Sequence, residues 1–283
     1  MKDEQIQQKV IRGYADIVKR NTKKSFFPSM FQCCDPKGMA ADIGKKIGYS
    51  NAELNNVPED ANLGIGCGNP TALASIQAGE TILDLGSGAG FDCFLASRHT
   101  GETGRVIGVD ITPEMVMLAQ KNAETGKYKN VTFKVGEIEN LPVESASIDL
   151  IISNCVINLS SQKDRVFEEA FRVAKPNGRL MISDIIVLKE LPHYVKSSIE
   201  GHIACLAGAV TKEQYLTAIG KAGFEQIRIN KEAPFPIELM LNDPIAQKII
   251  RENNLGEQEI QAIANAIASI SVSAKKSRHE NQL

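Results

Sequence analysis

The sequence predicts an α/β fold in which a mostly parallel sheet carries helices on both faces. Short apolar runs typical of buried strands alternate with stretches of helical periodicity between residues 81 and 230. This alternation is typical of strand–helix–strand units, because parallel strands need long crossover connections. The first apolar run, 82–85, ends in a glycine-rich turn at 86–90.

The predicted elements follow one another in a regular order. Apolar runs predict strands at 82–85, 105–109, 131–135, 148–152, 179–185 and 225–230. Helical spacing predicts helices at 91–99, 113–124, 163–174 and 212–222. Pro113 suits the first turn of its helix, with Thr112 as the cap, and the dipeptide at 177–178 marks the turn after the third helix.

Other segments flank or interrupt this alternation. Helical spacing covers 3–20, and a short helix is expected around 39–47. Residues 186–211 are interpreted as an insertion after the fifth strand that closes over the site. Helical periodicity near 245–250 and 260–267 precedes an alternating run at 269–274, which is expected to be an edge strand.

Composition limits the classes of function. The chain has 283 residues, a formal net charge of −2 and no basic block until its last residues, which disfavours a nucleic-acid substrate. No apolar run approaches the ~18 residues of a membrane span, and the N-terminus lacks an apolar signal core. We therefore expect a cytoplasmic protein without a membrane partner. In that compartment its six cysteines are expected to be reduced.

The glycine turn at 86–90 has the pattern G-x-G-x-G. It differs from the dinucleotide pattern G-x-G-x-x-G, and no lysine follows as a P-loop requires. Glycines let the backbone approach a ligand closely. Asp84 precedes the turn, and Asp110 ends the next strand about 20 residues on, where doubly wound folds bind ribose hydroxyls.

This arrangement resembles the S-adenosylmethionine site of class I methyltransferases, whose fold is Rossmann-like and ends in an antiparallel hairpin. The alternative is an ordinary strand-to-helix turn with two incidental acids. On the resemblance, residues 71–283 are the methyltransferase domain with late elements at 240–275, and residues 1–70 are a helical lid. The expected cofactor-binding residues are Asp84, Gly86, Ser87, Gly88, Gly90, Asp110, Ile111, Met115, Glu137, Ile138 and Asn154.

Three cysteines fall where the predicted topology brings them together. Cys67 lies in a glycine-rich loop, Cys155 at the tip of the fourth strand and Cys205 in the insertion. Three thiolates suit a soft, thiophilic centre, whereas a zinc site lacks a C-x-x-C motif. The alternative is that free cysteine fills a core as a small apolar residue, which is favoured for Cys93.

The segment 47–231 resembles the arsenite S-adenosylmethionine methyltransferases. The resemblance rests on Gly-Cys-Gly-Asn-Pro at 66–70, Ser-Asn-Cys-Val at 153–156 and the strand and turn at 83–90. The first two strings separate this family from generic small-molecule methyltransferases. Residues 11–16 depart from the Tyr-Gly pattern expected near the N-terminus.

The resemblance implies the roles of the cysteines. The substrate thiols of the family fall on Cys67, Cys155 and Cys205, and its additional N-terminal thiol falls on Cys33 or Cys34, between which the sequence does not choose. Flanking glycines predict that the three substrate thiols lie too far apart to bind one atom until an arsenical draws them in.

The expected activity is methyl transfer from S-adenosylmethionine to thiol-bound trivalent arsenic, as in arsenic detoxification. Because methylation formally oxidises arsenic, a thiol or thioredoxin-type reductant is expected as co-substrate, with Cys33 or Cys34 as relay. Two alternatives stay open. One is a small-molecule C- or O-methyltransferase acting on a quinone precursor, and the other is a protein that binds arsenicals without turnover.

Overall fold

The computed structural model describes residues 3–22, 36–196, 198, 205–237, 241 and 244–277. The candidate relay cysteines, Cys33 and Cys34, lie outside the described residues, as does part of the predicted insertion. Within the described part, no helix has both the length and the apolar character that a bilayer span requires.

The described strands form one mixed sheet. They are Thr81–Leu85 (β1), Arg105–Asp110 (β2), Val131–Val135 (β3), Ile148–Asn154 (β4), Ala174–Val187 (β5), Phe224–Pro234 (β6) and Ile267–Lys276 (β7). Their order is β3-β2-β1-β4-β5-β7-β6. The first five strands run parallel, and β7 runs antiparallel to both β5 and β6. The predicted α/β fold, with a mostly parallel sheet, is confirmed.

Helices cover both faces of this sheet. They are Asp3–Thr22 (α1), Pro36–Ile47 (α2), Asn51–Asn55 (α3), Pro70–Leu73 (α4), Phe91–Thr100 (α5), Pro113–Thr125 (α6), Lys163–Val173 (α7), His193–Lys196 (α8), Lys212–Lys221 (α9), Pro244–Glu252 (α10) and Glu257–Ala264 (α11). On one face α5 and α6 pack against Ile82 and Leu150. On the other, α7 and α9 pack against Leu83 and Ile151.

The direction in which the chain adds strands reverses between β1 and β4. Strands β2 and β3 lie to one side of β1, whereas β4 and β5 lie to the other. The loops that follow β1 and β4 therefore diverge, and they leave a crevice at the carboxyl ends of these strands. Ligands of open α/β sheets bind at such a switch point.

The last strand corrects the prediction for residues 269–274. β7 is an interior strand between β5 and β6, and β6 forms the edge. The small polar residues that suggested an exposed edge have partners inside the sheet. The hydroxyls of Ser271 and Ser183 lie 3.0 Å apart, and Ser273 donates to Asn230. Hydroxyl pairs of this kind let polar residues occupy a buried strand.

The fifth strand is longer than the predicted 179–185. It begins at Ala174, directly after α7, and its pairing with β4 jumps from Ala174 to Arg179. The predicted turn at 177–178 therefore lies within an irregular part of the strand, where Asn177 has a φ of 66°.

The N-terminal helix α1 packs onto the glycine turn and α6. Val18 lies in one apolar cluster with Ala89, Met115 and Leu118, and Tyr14 packs against the same cluster. Helix α1 therefore lies beside the crevice. The boundary between lid and methyltransferase domain at residue 70 stays a prediction.

Candidate active site

A cavity of about 500 Å³ lies at the carboxyl ends of β1, β2 and β4, beneath α1. This size is typical of small-molecule and cofactor sites. The predicted site residues that line the cavity are Asp84, Gly86, Ser87, Gly88, Asp110, Ile111, Met115, Ile138, Asn154 and Cys155. Motifs therefore located ten residues of this wall, to which α1 and residues 61–66 also contribute.

The glycine turn after β1 forms one side of the cavity. The amides of Gly86 and Ser87 donate to the carbonyl of Val109, which fixes the turn against the end of β2. Gly86 has a φ of 68°, and a Cβ there would collide with Val156. Glycine is therefore required at this position both by backbone conformation and by the close approach of Val156.

Asp110 faces the cavity from the end of β2. Its two carboxylate oxygens accept hydrogen bonds from the amides of Gly88 and Thr112, at 2.9 and 2.8 Å. Burial raises the pKa of Asp110, although these two bonds favour the charged form. Each carboxylate oxygen can accept a further hydrogen bond, so the group is held in place and still able to accept from a hydroxyl.

Two more polar groups lie beneath the turn. Asp84 is buried, and the Cys93 thiol donates to its carboxylate at 3.2 Å. Cys93 is fully buried among the apolar side chains of α5 and the sheet, as its assignment to the core requires. The buried Ser87 hydroxyl has no hydrogen-bond partner among the described residues. A buried hydroxyl without a partner in a cavity wall is suited to a polar ligand.

The three predicted substrate cysteines converge at the other end of the cavity. The sulfurs of Cys67 and Cys155 and a carboxylate oxygen of Asp184 all lie within 4.8 Å of one another. The Cys205 thiol lies 2.8 Å from the carbonyl oxygen of Cys155. The expectation that the thiols lie far apart without an arsenical is therefore wrong. The flanking glycines instead allow close packing, because a Cβ on Gly68 would lie 2.6 Å from that of Ser183.

The surroundings of the thiols favour their protonated forms. Burial raises the pKa of Cys67. The contact of Cys155 with Cys205 favours the Cys155 thiolate, but contact with Cys67 and burial outweigh it, and the pKa of Cys155 lies well above its usual value. Contact with Cys155 and burial likewise raise the pKa of Cys205. All three sulfurs therefore hold their protons at neutral pH.

Cys155 and Cys205 both have left-handed backbone conformations, each with a φ of 59°. Residues with a Cβ rarely adopt this conformation, which costs of order 1–3 kcal/mol where a bulky residue must hold it. The Cys155 amide donates to the carbonyl of Ser183, which keeps Cys155 at the end of the sheet. The fold thus maintains strain at the two positions that place sulfur next to the cavity.

Asp184 is a fully buried carboxylate next to the thiols that the sequence reasoning missed. It accepts hydrogen bonds from Asn158, Tyr215 and the amide of Ile185, at 2.8, 2.9 and 2.9 Å. Burial raises its pKa to about 6, although these bonds favour the carboxylate. Asp184 lies within β5 and not on a glycine-rich turn or at a strand end, so no motif in the sequence marked it.

Tyr14 on α1 is a second residue that the sequence reasoning missed. Its side chain lines the cavity, and its hydroxyl contacts the Cys205 thiol, which favours the Cys205 thiolate. Burial and the neighbouring thiols raise the pKa of Tyr14 well above its usual value. Residues 11–16 depart from the family pattern, but they still bring a tyrosine to the site. Lys163 lines the same end of the cavity and donates to the carbonyl of Ser160.

Two predicted cofactor residues lie outside the described cavity wall. Gly90 faces the rings of Phe133 and Phe94, to which a Cβ would come within 2.7 and 2.8 Å, so its role is in packing below the turn. Glu137 is exposed, whereas its neighbour Ile138 is buried and lines the cavity. The glycine turn after β1 and the loop after β3 still contribute to the cavity wall, through the neighbouring residues Gly88 and Ile138.

Comparison with known proteins agrees with this geometry. Residues 76–223 match a family model described as a methyltransferase domain. An arsenite methyltransferase of Halobacterium salinarum is 44% identical over 70% of this chain and 50% of its own length. The crystal structure of an arsenic(III) S-adenosylmethionine methyltransferase from Chlamydomonas reinhardtii superposes with a TM-score of 0.59. It is 31% identical, over 88% of this chain and 76% of that one.

The chain belongs to the arsenite methyltransferase family. Another member, from Aquipseudomonas alcaligenes, is 34% identical over 72% of this chain and 59% of its own length. The chain thus spans about half to three fifths of the length of these two arsenite methyltransferases. More distant enzymes share the fold alone, such as a phosphoethanolamine N-methyltransferase of Haemonchus contortus, 19% identical with a TM-score of 0.61.

Proposed function

We propose that this protein transfers methyl groups from S-adenosylmethionine to trivalent arsenic held by Cys67, Cys155 and Cys205. One observation carries the proposal. The glycine turn and Asp110 line the same cavity as Cys155, against which the other two thiols pack. The names of the relatives, arsenite methyltransferases from several organisms, support the same substrate.

The residues at the turn fit the cofactor. The unpartnered Ser87 hydroxyl, the Gly88 backbone and the Asp110 carboxylate offer polar contacts in a wall where Met115 and Ile138 supply apolar ones. Asp110 is assigned to ribose hydroxyls and Ile138 to the edge of the adenine. The predicted residues that line the cavity and are proposed to contact the cofactor are Asp84, Gly86, Ser87, Gly88, Asp110, Ile111, Met115 and Ile138. When bound, S-adenosylmethionine supplies a methyl group on a positively charged sulfur.

Neutral thiols suit an uncharged arsenical. In arsenous acid, arsenic carries three hydroxyl groups, and each thiol of the site can replace one of them. The thiol proton leaves with that hydroxyl as water, so three arsenic–sulfur bonds form and no net charge enters the buried site. An apolar cluster surrounds Cys67 and Cys205 and includes Ile185, Leu191 and Val195. In these low-dielectric surroundings an added charge would cost free energy, so binding without a change in net charge is favoured.

Arsenic bound by three sulfurs keeps a lone pair, which is the nucleophile. No proton leaves it during methyl transfer, so the protein needs no general base. The contribution of the chain is to hold arsenic at a fixed place facing the cavity, and such positioning supplies a large part of the barrier reduction. Cys155, held by its strained backbone at the end of β4, is the thiol that lines the cavity itself.

Formation of the arsenic–carbon bond uses the arsenic lone pair and raises the formal oxidation state of arsenic by two. Two electrons must then return arsenic to the trivalent state. We assign them to a pair of thiols that becomes a disulfide, one being Cys33 or Cys34 and the other external, from a small thiol or a thioredoxin-type protein. One arsenic–sulfur bond breaks in this step, because trivalent arsenic holds three substituents. Of the two protons that the thiol pair loses, one goes to the released cysteine sulfur and the other to solvent. The proposal places the protein in the cytoplasm, where thiols stay reduced.

The test is an incubation of the protein with arsenite, a thiol and methyl-labelled S-adenosylmethionine, followed by arsenic speciation. The expected result is labelled methylarsenic species, which the Cys155→Ser variant does not form. Arsenite bound without any labelled product would support the alternative of a binding protein. Label transferred to added small phenols or quinone precursors, but never to arsenic, would contradict the proposed substrate.

A further inference from the structure

The side chain of Asn154 lies between the end of β4 and the loop that carries Cys67. Its Oδ1 accepts a hydrogen bond from the Cys67 amide at 3.1 Å, and its Nδ2 donates to the carbonyl of Gly68 at 2.8 Å. Asn154 directly precedes Cys155 in the chain. One side chain therefore joins the backbone next to one substrate thiol to the backbone of another.

The chemistry of these partners requires an amide at position 154. A backbone N–H only donates and a backbone carbonyl only accepts, so the side chain must offer one acceptor and one donor side by side. This pairing also fixes which end of the amide is oxygen. A carboxylate at position 154 could accept from the amide of Cys67, but it would repel the carbonyl of Gly68.

Further contacts occupy the rest of the Asn154 amide. Its Nδ2 also lies 2.9 Å from the hydroxyl oxygen of Tyr49 and 3.1 Å from a carboxylate oxygen of Asp92. Tyr49 in turn donates to Asp92 at 2.7 Å. Two amide hydrogens thus face three acceptors within the protein, which leaves Asn154 little capacity to bind a ligand.

The loop of Cys67 is held from two sides. Asn154 binds it from β4, and the Ser269 hydroxyl donates to the Cys67 carbonyl from β7, at 2.6 Å. The loop fits closely because Gly66 is small, since a Cβ there would lie 3.1 Å from the Nδ2 of Asn154. The sulfur of Cys67 therefore lies within 4.8 Å of that of Cys155 as a consequence of backbone contacts.

We propose that Asn154 is a positioning residue that holds the Cys67 thiol beside the Cys155 thiol, rather than a cofactor ligand. The inference rests on the proposed function, because it is there that Cys67 and Cys155 are taken as arsenic ligands. Through Asp92, at the start of α5, the same network also joins the thiol loop to the element that follows the glycine turn.

The test measures the distance between the two thiols without using arsenic. In a full-length chain with Cys33, Cys34 and Cys205 changed to serine, the remaining Cys93 is fully buried in the core. A fluorogenic reagent that bridges two thiols then reports the pair Cys67 and Cys155. Asn154→Ala is expected to slow bridging at least about tenfold, because a displacement of ~1 Å sharply lowers the effective concentration of the second thiol. The affinity for S-adenosylmethionine should stay within about twofold of the parent.

Asn130→Ala is the matched control, because Asn130 likewise bonds a side chain and a carbonyl, those of Ser97 and Gly101, away from the cavity. It should leave bridging unchanged. The aspartate side chain in Asn154→Asp has the same shape as that of asparagine. If Asn154 only filled space, this variant would bridge the two thiols at the parental rate, whereas the proposed role predicts slow bridging here too. Parental bridging in a folded Asn154→Asp variant would overturn the proposal. So would a loss of cofactor affinity in Asn154→Ala with bridging intact.

Kinetics with all six cysteines present separate this proposal from the proposed function. If arsenic is the substrate, Asn154→Asp should raise the KM for arsenite and leave the KM for S-adenosylmethionine unchanged. If the parent chain shows no activity towards arsenite, the proposed function fails, and the bridging rates still decide the role of Asn154.

Discussion

At the scale of single residues, Asp110 is the clearest test of the cofactor assignment. Its carboxylate is fixed by two backbone amides and faces the cavity. Asp110→Ala is expected to weaken binding of S-adenosylmethionine by about 2 kcal/mol, the contribution typical of a hydrogen bond to a charged group. Calorimetric titration measures this, with Asp164→Ala on the exposed side of α7 as control. An unchanged dissociation constant in the folded variant would argue against ribose recognition by Asp110.

The cysteines are expected to separate into two groups. Cys155→Ser and Cys205→Ser should each abolish arsenic methylation with near-normal cofactor affinity, because a hydroxyl is a harder ligand than sulfur and binds the soft arsenic centre weakly. Cys93→Ser should instead lower the free energy of unfolding, since Cys93 is fully buried in the core. Arsenite binding and denaturant unfolding distinguish the groups. Loss of arsenite binding in Cys93→Ser, but not in Cys205→Ser, would reverse the assignment.

Motifs identified the residues that lie on turns next to strand ends, because glycines and short strings mark such places. Cys67, Cys155 and Asp110 belong to this group. Tyr14 and Asp184 carry no local signal, since they reach the thiols only through the packing of α1 and the pairing of β5. The proximity of the thiols likewise depends on tertiary contacts that a single sequence does not show.

At the scale of elements, the turn after β1 makes a prediction about stability. Gly86→Ala should lower the free energy of unfolding by about 2–4 kcal/mol, from the left-handed backbone and the collision with Val156 together. Gly88→Ala is the matched control, because its φ of 52° is also left-handed but a Cβ there meets nothing within 4 Å. It should cost about 1–2 kcal/mol. Equal losses in urea unfolding would mean that Val156 does not restrict the turn.

Strand prediction succeeded where the apolar character of the residues was the main signal. Apolar residues gave β1 to β4 to within two residues at each end. β1, β2 and β4 are buried on both faces, whereas β3 alternates between buried and exposed residues. The same reasoning misplaced β7, since alternating serines and apolar residues are typical of an edge, whereas here Ser183 of β5 and Asn230 of β6 supply partners on the two neighbouring strands. Strand order is a property of the whole sheet, and no local pattern contains it.

At the scale of the whole molecule, the buried acids predict an unusual dependence of stability on pH. The pKa of Asp184 is raised by burial to about 6 from 3.8, so the folded state binds the proton more tightly than the unfolded state. The free energy of unfolding should therefore fall as pH rises from about 4 to about 6, by up to about 3 kcal/mol for this group.

Urea unfolding across this range measures the slope. Asp184→Asn should reduce it, and the rest of the slope comes from other buried acids such as Asp92, whose pKa burial also raises to about 6. Asp164→Asn, on an exposed position of α7, should leave the slope unchanged. The lowered pKa of Glu169, caused first by its bond to Arg172, acts in the opposite direction and removes stability below about pH 4.5. A slope in Asp184→Asn equal to that of the parent would show that this carboxyl is not protonated in the folded protein near pH 5.

The central claim is that three cysteines from distant parts of the chain bind one arsenic atom at the end of the cofactor cavity. Arsenic X-ray absorption on the arsenite complex tests it most directly, in thiol-free buffer and with Cys33 and Cys34 changed to serine. The account predicts three sulfur neighbours for arsenic, and two after the further change Cys205→Ser. Oxygen neighbours in place of sulfur, or three sulfurs that persist in the Cys205→Ser variant, would contradict it.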